Sequence, residues 1–228
     1  MLPWIFILVS YLIGGIPVGL LVGRSRGIDL REVGSGNIGA SNALRALGPG
    51  VGAAVWIADL LKGLLPTVWA SWYLVHQAAV PDRFPYLAAI GFAAVAGHCF
   101  SPYLRFKGGR GVSTTLGSLL ALDWRAGVLA FAIWLLMLAF TRYISLSSIT
   151  ACCAIPFLMS ALPREPAAAA ALEPYIVFGI CIAVLTTLRH YPNIRRLLSG
   201  TESKIGQRTE VPVVEGIPGG PESETEYR

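Results

Sequence analysis

Residues 128–140 read VLAFAIWLLMLAF and contain no charged side chain. The next segment, residues 144–162, reads ISLSSITACCAIPFLMSAL and also lacks Lys, Arg, Asp and Glu. An α-helix needs roughly 20 apolar residues to cross about 30 Å of hydrocarbon. A surface helix of a soluble protein would carry a polar stripe along one face. Because neither segment carries a charged face, both are predicted to be membrane-spanning helices.

The chain as a whole is also rich in apolar residues and poor in charged ones. Of its 228 residues, 54% are hydrophobic and 14% are charged, whereas soluble domains are nearer a quarter charged. We therefore predict an all-α integral membrane protein with about seven transmembrane helices. Residues 112–122 are too short to cross freely and are expected to form a short helix that is re-entrant or buried in protein. The predicted segments are 3–22, 51–75, 85–100, 112–122, 125–141, 144–162 and 172–189.

The distribution of Lys and Arg predicts the orientation. Fourteen of these residues fall in one set of loops and the tail, against three (Arg83, Arg125 and Arg164) in the opposite set. Cytoplasmic loops carry the excess of positive charge, so the N-terminus is expected outside and the C-terminus in the cytoplasm. Residues 1–200 are predicted to form the membrane domain. Residues 201–228, rich in Pro, Gly, Glu and Thr, are predicted to be a disordered cytoplasmic tail.

The first cytoplasmic loop, residues 33–45, reads VGSGNIGASNALR. Its glycines allow successive N–H groups to point into one concavity, a nest that binds anions, and Arg45 adds a forked positive charge. The spacing also matches the dinucleotide-binding fingerprint, but that motif requires a preceding strand, and a membrane helix precedes it here. A merely flexible loop is the simpler alternative. The candidate binding groups are Gly34, Ser35, Gly36, Asn37, Gly39 and Arg45.

The second cytoplasmic loop, residues 97–115, reads GHCFSPYLRFKGGRGVSTT. Basic residues surround a glycine turn that leads directly into a predicted helix, whose positive N-terminal end would face a bound anion. Contact with lipid phosphates would explain the charges but not the glycines. No Walker A motif fits this loop. The candidate binding groups are His98, Lys107, Gly108, Gly109, Arg110 and Gly111.

Two further clusters lie on the same predicted face. Residues 145–150 read SLSSIT; we expect Ser145 to cap a helix and Ser148 to face the site. Residues 189–196 read RHYPNIRR, and a helix resuming after Pro192 would project His190 and Asn193 towards the same region.

One pair of charges lies within a predicted span. Asp59 and Lys62 are three residues apart on one helix face, so they can neutralise each other, although intramembrane charges are often functional. Carboxylates on the cytoplasmic side are few and scattered, which argues against a divalent-metal phosphotransferase. A phosphate-ester transporter remains an alternative, but it would need polar residues lining a path through several helices, and only this pair offers one.

Together the blocks GSGNIGASNALRALG, GHCFSPYLRFKGGRGVSTTLG, SLSSIT and HYPNIRRLLSGTE resemble the bacterial acyl-phosphate-dependent glycerol-3-phosphate acyltransferases, the PlsY family. The resemblance runs in order over about residues 3–205. It implies a seven-helix enzyme of the bacterial inner membrane that begins phospholipid synthesis. Such an enzyme moves a fatty acyl group from acyl-phosphate to the 1-hydroxyl of glycerol 3-phosphate, giving lysophosphatidate and inorganic phosphate at a cytoplasm-facing site.

The resemblance also implies roles for the residues above. The polar site falls on Ser35, Asn37, Arg45, His98, Lys107, Arg110, Ser148, His190 and Asn193. Its partners would be acyl-phosphate, glycerol 3-phosphate and the bilayer, with no metal or other cofactor and no nucleic acid. Such proteins usually have Lys where this chain has Arg110, so a forked guanidinium replaces a point charge there. The His–four residues–Asp dyad of many other glycerolipid acyltransferases is absent. The proton acceptor is either His190 or the leaving phosphate.

Overall fold

The computed structural model describes residues 2–76, 80, 82–163 and 172–207, and within these ranges it contains helices and no strand. The helices, with one 3₁₀ turn at Pro102–Leu104, are α1 (Leu2–Gly15), α2 (Val18–Arg24), α3 (Ala40–Leu47), α4 (Pro49–His76), α5 (Phe84–Cys99), α6 (Val112–Leu122), α7 (Trp124–Thr141), α8 (Ile144–Ala161), α9 (Leu172–Arg189) and α10 (Tyr191–Leu198). The all-helical membrane fold is therefore confirmed.

Six helical segments in the described ranges are long and apolar enough to cross a membrane. They are Leu2–Arg24, Pro49–His76, Phe84–Leu104, Trp124–Thr141, Ile144–Ala161 and Leu172–Arg189.

Helix α6 corresponds to the short segment expected at 112–122, and its 11 residues extend about 16 Å at 1.5 Å per residue. It packs against α4, α5, α7 and α9. Its backbone is therefore covered by protein rather than by lipid, as a short intramembrane helix requires.

The first span is broken at Pro17, which has no N–H to continue the helical hydrogen bonds. Two side chains bond the carbonyls at the break. Lys62 donates to the Ile16 carbonyl at 3.0 Å, and Ser101 donates to the Gly15 carbonyl at 2.6 Å. The break is therefore satisfied from α4 and from the turn after α5.

Helices α4 and α6 cross where both have glycine. A Cβ at Gly63 would overlap the Thr114 carbonyl, and one at Gly117 would overlap the Leu60 carbonyl. Small residues let two membrane helices approach this closely. The crossing brings the first turn of α6 beside Asp59 and so carries the second glycine loop towards α4.

The outer surface is apolar, as contact with lipid requires. Helix α7 has few buried side chains and exposes Val128, Leu135, Leu136 and Phe140. The four cysteines, two of them fully buried, carry free thiols.

Residues 201–207 differ from the expectation of a tail that leaves the protein at residue 201. Glu202 is buried, and the Ile205 N–H donates to the Arg142 carbonyl at 2.8 Å. This segment is packed because Glu202 finds polar partners on α10, which composition alone does not reveal. The remainder of the predicted tail, residues 208–228, lies outside the described residues.

Candidate active site

A cavity of about 410 Å³ lies where α3, α4, the end of α5, the start of α6, α7, α8 and residue 190 meet. It has a polar side formed by the glycine-rich loops and an apolar side formed by aromatic rings. Eight of the predicted site residues line it: Asn37, Gly39, Arg45, His98, Arg110, Gly111, Ser148 and His190. The other seven, Gly34, Ser35, Gly36, Lys107, Gly108, Gly109 and Asn193, lie outside the lining.

The first glycine loop is organised by Asn42, which is fully buried at the start of α3. Its amide donates to the carbonyls of Leu30 at 2.9 Å and Val33 at 3.1 Å, and its oxygen accepts from the Ser35 N–H at 3.0 Å. The loop folds back over this side chain through Gly34 and Gly36, which both have positive φ angles. The Ser35 N–H is therefore already used within the loop, and Asn42 is a structural residue.

Arg45 carries unused hydrogen-bonding capacity into the cavity. Its Nε is buried and has no hydrogen-bond partner among the described residues, and one terminal nitrogen donates weakly to the Ser203 carbonyl at 3.4 Å. Burial lowers the pKa of Arg45, and nearby Arg196 lowers it further, whereas Glu202 opposes the shift. A half-buried guanidinium with a free donor is suited to bind an oxyanion.

Arg110 is the second half-buried cation. Burial lowers its pKa to about 10, with Arg196, Arg45 and Arg189 adding to the shift and Glu202 opposing it. Arg45 is therefore one of the cations that destabilise the charged form of Arg110. An anion bound between them would relieve this repulsion.

The second glycine loop is pinned to the protein from two sides. The N–H groups of Gly108 and Gly109 donate to the carbonyls of Cys99 at 3.1 Å and His98 at 3.0 Å. The carbonyls of the same two glycines accept from Arg189 at 2.6 and 3.0 Å. These peptide groups are therefore used in holding the loop, and Lys107 is exposed on its outer edge.

The glycines of this loop are required by packing against α5. A Cβ at Gly108 would overlap the His98 carbonyl, and one at Gly109 would overlap Nε2 of the His98 ring. Gly111, with φ 78°, turns the chain into α6 and lines the cavity. The glycines thus bring Arg110 and the start of α6 close to His98.

His190 lies at the N-cap of α10 and is buried. Its Nδ1 is 2.8 Å from the Thr186 carbonyl, which can only accept, so Nδ1 carries the proton. Burial and the charge of Arg110 lower the pKa of His190 to about 4. At neutral pH the ring is uncharged and Nε2 is free to accept a hydrogen bond.

Asn193 does not face the cavity; it supports a residue that does. Its amide donates to Glu202 Oε1 at 2.7 Å, and Arg196 Nε lies 2.7 Å from Glu202 Oε2. Burial would raise the pKa of Glu202, but interactions with Ser145, Asn193 and Arg196 outweigh it and the pKa is lowered. Glu202 is therefore a carboxylate facing Arg45 and Arg110.

Ser145 was expected to cap α8, and this prediction is wrong. The N-cap is Tyr143, without a side-chain cap, and Ser145 is one residue inside the helix, lining the cavity. Its location follows from the register of α8, which turns the hydroxyl towards Glu202 instead of the helix end.

The apolar side of the cavity is a row of three rings from α4 and α7. Trp56 and Phe131 lie 6.0 Å apart between centroids, and Phe131 stacks on Trp134 at 5.9 Å. Trp134 donates from Nε1 to Ser148 Oγ at 3.1 Å, while Ser148 donates to the Ile144 carbonyl. A small apolar pocket of about 40 Å³ behind these rings extends the cavity towards Ile155 on α8.

Comparison with known proteins identifies the family to which this site belongs. Residues 4–200 match the sequence profile of a family described as glycerol-3-phosphate acyltransferase. The chain belongs to this family. A glycerol-3-phosphate acyltransferase of Trichlorobacter lovleyi is 44% identical over 195 residues, 86% of this chain and 93% of the relative. Glycerol-3-phosphate acyltransferase 2 of Moorella thermoacetica is 45% identical over 208 residues, 90% of this chain and 100% of the relative.

Solved acyltransferase structures share the fold. PlsY (YgiH), an integral membrane glycerol 3-phosphate acyltransferase, in its glycerol 3-phosphate form has a TM-score of 0.78 and 35% identity, covering 90% of this chain and 96% of that chain. Its lysophosphatidic acid form has a TM-score of 0.77 and 32% identity, covering 91% and 97%. The chain is thus an acyltransferase, and the transporter alternative is not retained.

Several residues that line or support this acyltransferase cavity were not predicted from the sequence. Glu202 stood within a recognised block but carried no motif of its own. Arg189 was counted only as a topology charge, and Trp56 and Trp134 are indistinguishable from lipid-facing aromatics in an apolar run. No group of three or more His, Cys, Asp or Glu side chains among the described residues is arranged to hold a metal ion.

Proposed function

We propose that this chain transfers a fatty acyl group from acyl-phosphate to the 1-hydroxyl of glycerol 3-phosphate. The hydroxyl oxygen attacks the acyl carbonyl carbon, and the bond from that carbon to the phosphate oxygen breaks. The products are lysophosphatidate and inorganic phosphate, and the hydroxyl proton leaves with a base. Acyl-phosphate is a mixed anhydride with a good leaving group, so the reaction needs no protein nucleophile.

The observation that carries this proposal is the pair Arg45 and Arg110 on one cavity that also has an apolar wall. Both substrates bear phosphate, and each guanidinium can neutralise one phosphate and fix its orientation. The same charges stabilise the negative charge that develops on the leaving phosphate. We assign Ser35 and Lys107 to the loop edges, from which they would contact the bound phosphates.

The proton of the glycerol hydroxyl has two acceptors within this proposal. His190 is neutral with a free Nε2, so it can accept the hydrogen bond of the attacking hydroxyl. The leaving phosphate can take the proton itself, which requires no protein base. In the second route, His190 orients the hydroxyl without becoming protonated.

The acyl chain is assigned to the apolar side of the cavity. The rings of Trp56, Phe131 and Trp134 form its wall. The small apolar pocket behind them continues this wall, and the rest of a long chain extends between α4 and α7 into the bilayer. Lipid is as apolar as the chain, so this exit costs little free energy.

We place the enzyme in the bacterial inner membrane with this cavity facing the cytoplasm and the N-terminus outside. The support is the fourteen-to-three distribution of Lys and Arg, which includes both cavity arginines on the positive side. Reporter fusions in the 105–111 loop and at residue 82 should report opposite faces. Equal reporter activity at both positions would overturn this topology.

The donor can be tested with protein purified in detergent. Labelled glycerol 3-phosphate is supplied with acyl-phosphate, acyl-coenzyme A or acyl carrier protein loaded with a thioester-linked acyl group, each without added metal. We expect lysophosphatidate only with acyl-phosphate. Equal product from either thioester would contradict the proposed donor, and no product from any donor would contradict the proposed function.

A further inference from the structure

The buried pair Asp59 and Lys62 is linked to the cavity by a third side chain. Lys62 Nζ lies 2.9 Å from Asp59 Oδ1, and both side chains are almost fully buried. His98 Nδ1 lies 3.7 Å from the same carboxylate oxygen and 3.4 Å from the Thr114 hydroxyl. Four side chains from α4, α5 and α6 therefore meet at one point.

Neutralisation of Lys62 does not by itself explain this arrangement. Lys62 turns away from the cavity and donates to the Ile16 carbonyl at the break between α1 and α2. Asp59 and His98, in contrast, both line the cavity. The carboxylate thus faces a structural cation on one side and a cavity imidazole on the other.

The negative charge of the Asp59 carboxylate favours a proton on the ring nitrogen of His98 that faces it. Their separation of 3.7 Å is longer than a hydrogen bond, so this preference is electrostatic, and Thr114 can donate or accept at the same nitrogen. The favoured tautomer of a neutral His98 therefore has its proton on Nδ1. Nε2 is then left with a lone pair. Nε2 stands against Gly109, the residue before Arg110.

We propose that Asp59 is a positioning residue that holds His98 with its proton on Nδ1, so that Nε2 accepts a hydrogen bond from a hydroxyl of glycerol 3-phosphate. The inference rests on the proposed function for the identity of the substrate. Arg110, which lines the same cavity, binds the phosphate of the same molecule. One substrate is thereby held at two points, by charge at one end and by a hydroxyl at the other.

The tautomer can be measured directly because the chain has only three histidines, His76, His98 and His190. Ring-¹⁵N-labelled protein in detergent gives separate Nδ1 and Nε2 resonances, and a His98→Gln variant assigns those of His98. We expect the Nδ1–H tautomer, and we expect glycerol 3-phosphate without any acyl donor to shift the Nε2 resonance. An Nε2–H tautomer, or an Nε2 resonance that saturating substrate leaves unchanged, would overturn the proposal.

The kinetic test uses Asp59→Asn combined with Lys62→Met, which removes both charges together and leaves no unpaired ion. We expect the KM for glycerol 3-phosphate to rise about tenfold, the effect of losing one good hydrogen bond, with the KM for acyl-phosphate changed less than about threefold. Equal changes in both KM values, or none, would contradict a positioning role. If this variant does not fold, the two resonance measurements on the unmodified protein decide the question.

Asp123→Asn is the matched control. Asp123 is also a buried carboxylate, but it caps the start of α7 and lies outside the cavity. The Asp123→Asn variant should be less stable, without a selective change in the KM for glycerol 3-phosphate. Failure of the proposed function would appear as absent lysophosphatidate in the activity assay, whereas the His98 tautomer is read from unliganded protein, so the two failures are distinguishable.

Discussion

Asn193 donates a 2.7 Å hydrogen bond to Glu202, and it is Glu202, not Asn193, that faces the cavity. The carboxylate lies opposite Arg45 and Arg110 and is held from behind by Arg196. The site therefore contains a fixed negative charge that limits the repulsion between its arginines when no substrate is bound.

Glu202→Gln should lower thermal stability, because it weakens the hydrogen bonds to Asn193 and Arg196 and removes the counter-charge of the two cavity arginines. A hydrogen bond to a charged group contributes about 1.5–3 kcal/mol, and partial exposure of Arg196 puts this case at the lower end. Thermal unfolding in detergent measures the effect. Glu32→Gln, at an exposed acid, is the control; an equal Tm for both variants would contradict the assigned role.

The stabilisation from Glu202 should depend on pH in a defined direction. Its pKa is lowered in the folded protein, so its contribution is complete above the unfolded pKa of about 4.3 and is lost as the pH falls through the folded value. The Tm difference between the unmodified protein and Glu202→Gln should therefore be constant from pH 6 to 8 and shrink in acid. A difference that grows as the pH falls would be inconsistent with this charge.

Arg110→Ala should lower kcat/KM for glycerol 3-phosphate by about 100-fold or more, because a half-buried cation that lines the cavity is removed. Lys107→Ala should lower kcat/KM by less, since Lys107 is exposed at the loop edge. Arg110→Lys keeps the charge and should retain more activity than Arg110→Ala. Initial rates over a range of glycerol 3-phosphate concentrations measure all three; a larger loss for Lys107→Ala would show that the loop rearranges around the substrate.

Gly109→Ala should impair the site through packing, because the added Cβ would overlap His98 Nε2. We expect the KM for glycerol 3-phosphate to rise about tenfold or more while the protein remains folded. Gly50→Ala is the control, since a Cβ there meets no atom within 4 Å. Normal kinetics in Gly109→Ala would mean that the loop moves away from His98 without functional cost.

The pH–rate profile should show no protonation of His190 near pH 6.5. The pKa of His190 is lowered to about 4, so the ring stays neutral above that value and loses its acceptor as the pH falls through it. The ratio of kcat/KM between the unmodified protein and His190→Asn cancels the ionisation of the substrate phosphate. This ratio should be flat from pH 5.5 to 8, and a step near 6.5 would contradict the buried, neutral state.

His190→Ala separates the two routes for the proton. If the leaving phosphate accepts it, the variant should keep most of its kcat while its KM for glycerol 3-phosphate rises. A loss of about 100-fold or more in kcat at saturating substrate would instead assign the proton to a histidine base.

Sequence predicted the membrane segments well because each needs only a run of apolar residues of sufficient length. The clustering of Asn37, Arg45, His98, Arg110, Ser148 and His190 on one cavity was also predictable, through charge bias and family resemblance. The contacts that hold the cavity were not. Asn42 inside its loop, Arg189 on the glycine carbonyls and Glu202 behind the arginines depend on which helices cross, and no local pattern encodes that crossing.

The position of Ser148 on the cavity could be predicted from the sequence, but its hydrogen-bond partners could not. It lines the cavity as expected, but its hydroxyl donates to the Ile144 carbonyl and accepts from Trp134. Its partner Trp134 belongs to a segment that looked purely lipid-facing. The polar group therefore orients the aromatic wall, which the amino-acid pattern of SLSSIT alone does not indicate.

The most direct test compares the unmodified protein with Arg45→Ala/Arg110→Ala, both shown to be folded by gel filtration and circular dichroism. Each receives saturating acyl-phosphate and labelled glycerol 3-phosphate, and lysophosphatidate and inorganic phosphate are quantified together. We predict equimolar products from the unmodified protein and a rate at least about 1,000-fold lower from the double variant. A double variant within tenfold of the unmodified rate, or no lysophosphatidate from the unmodified protein, would contradict the account.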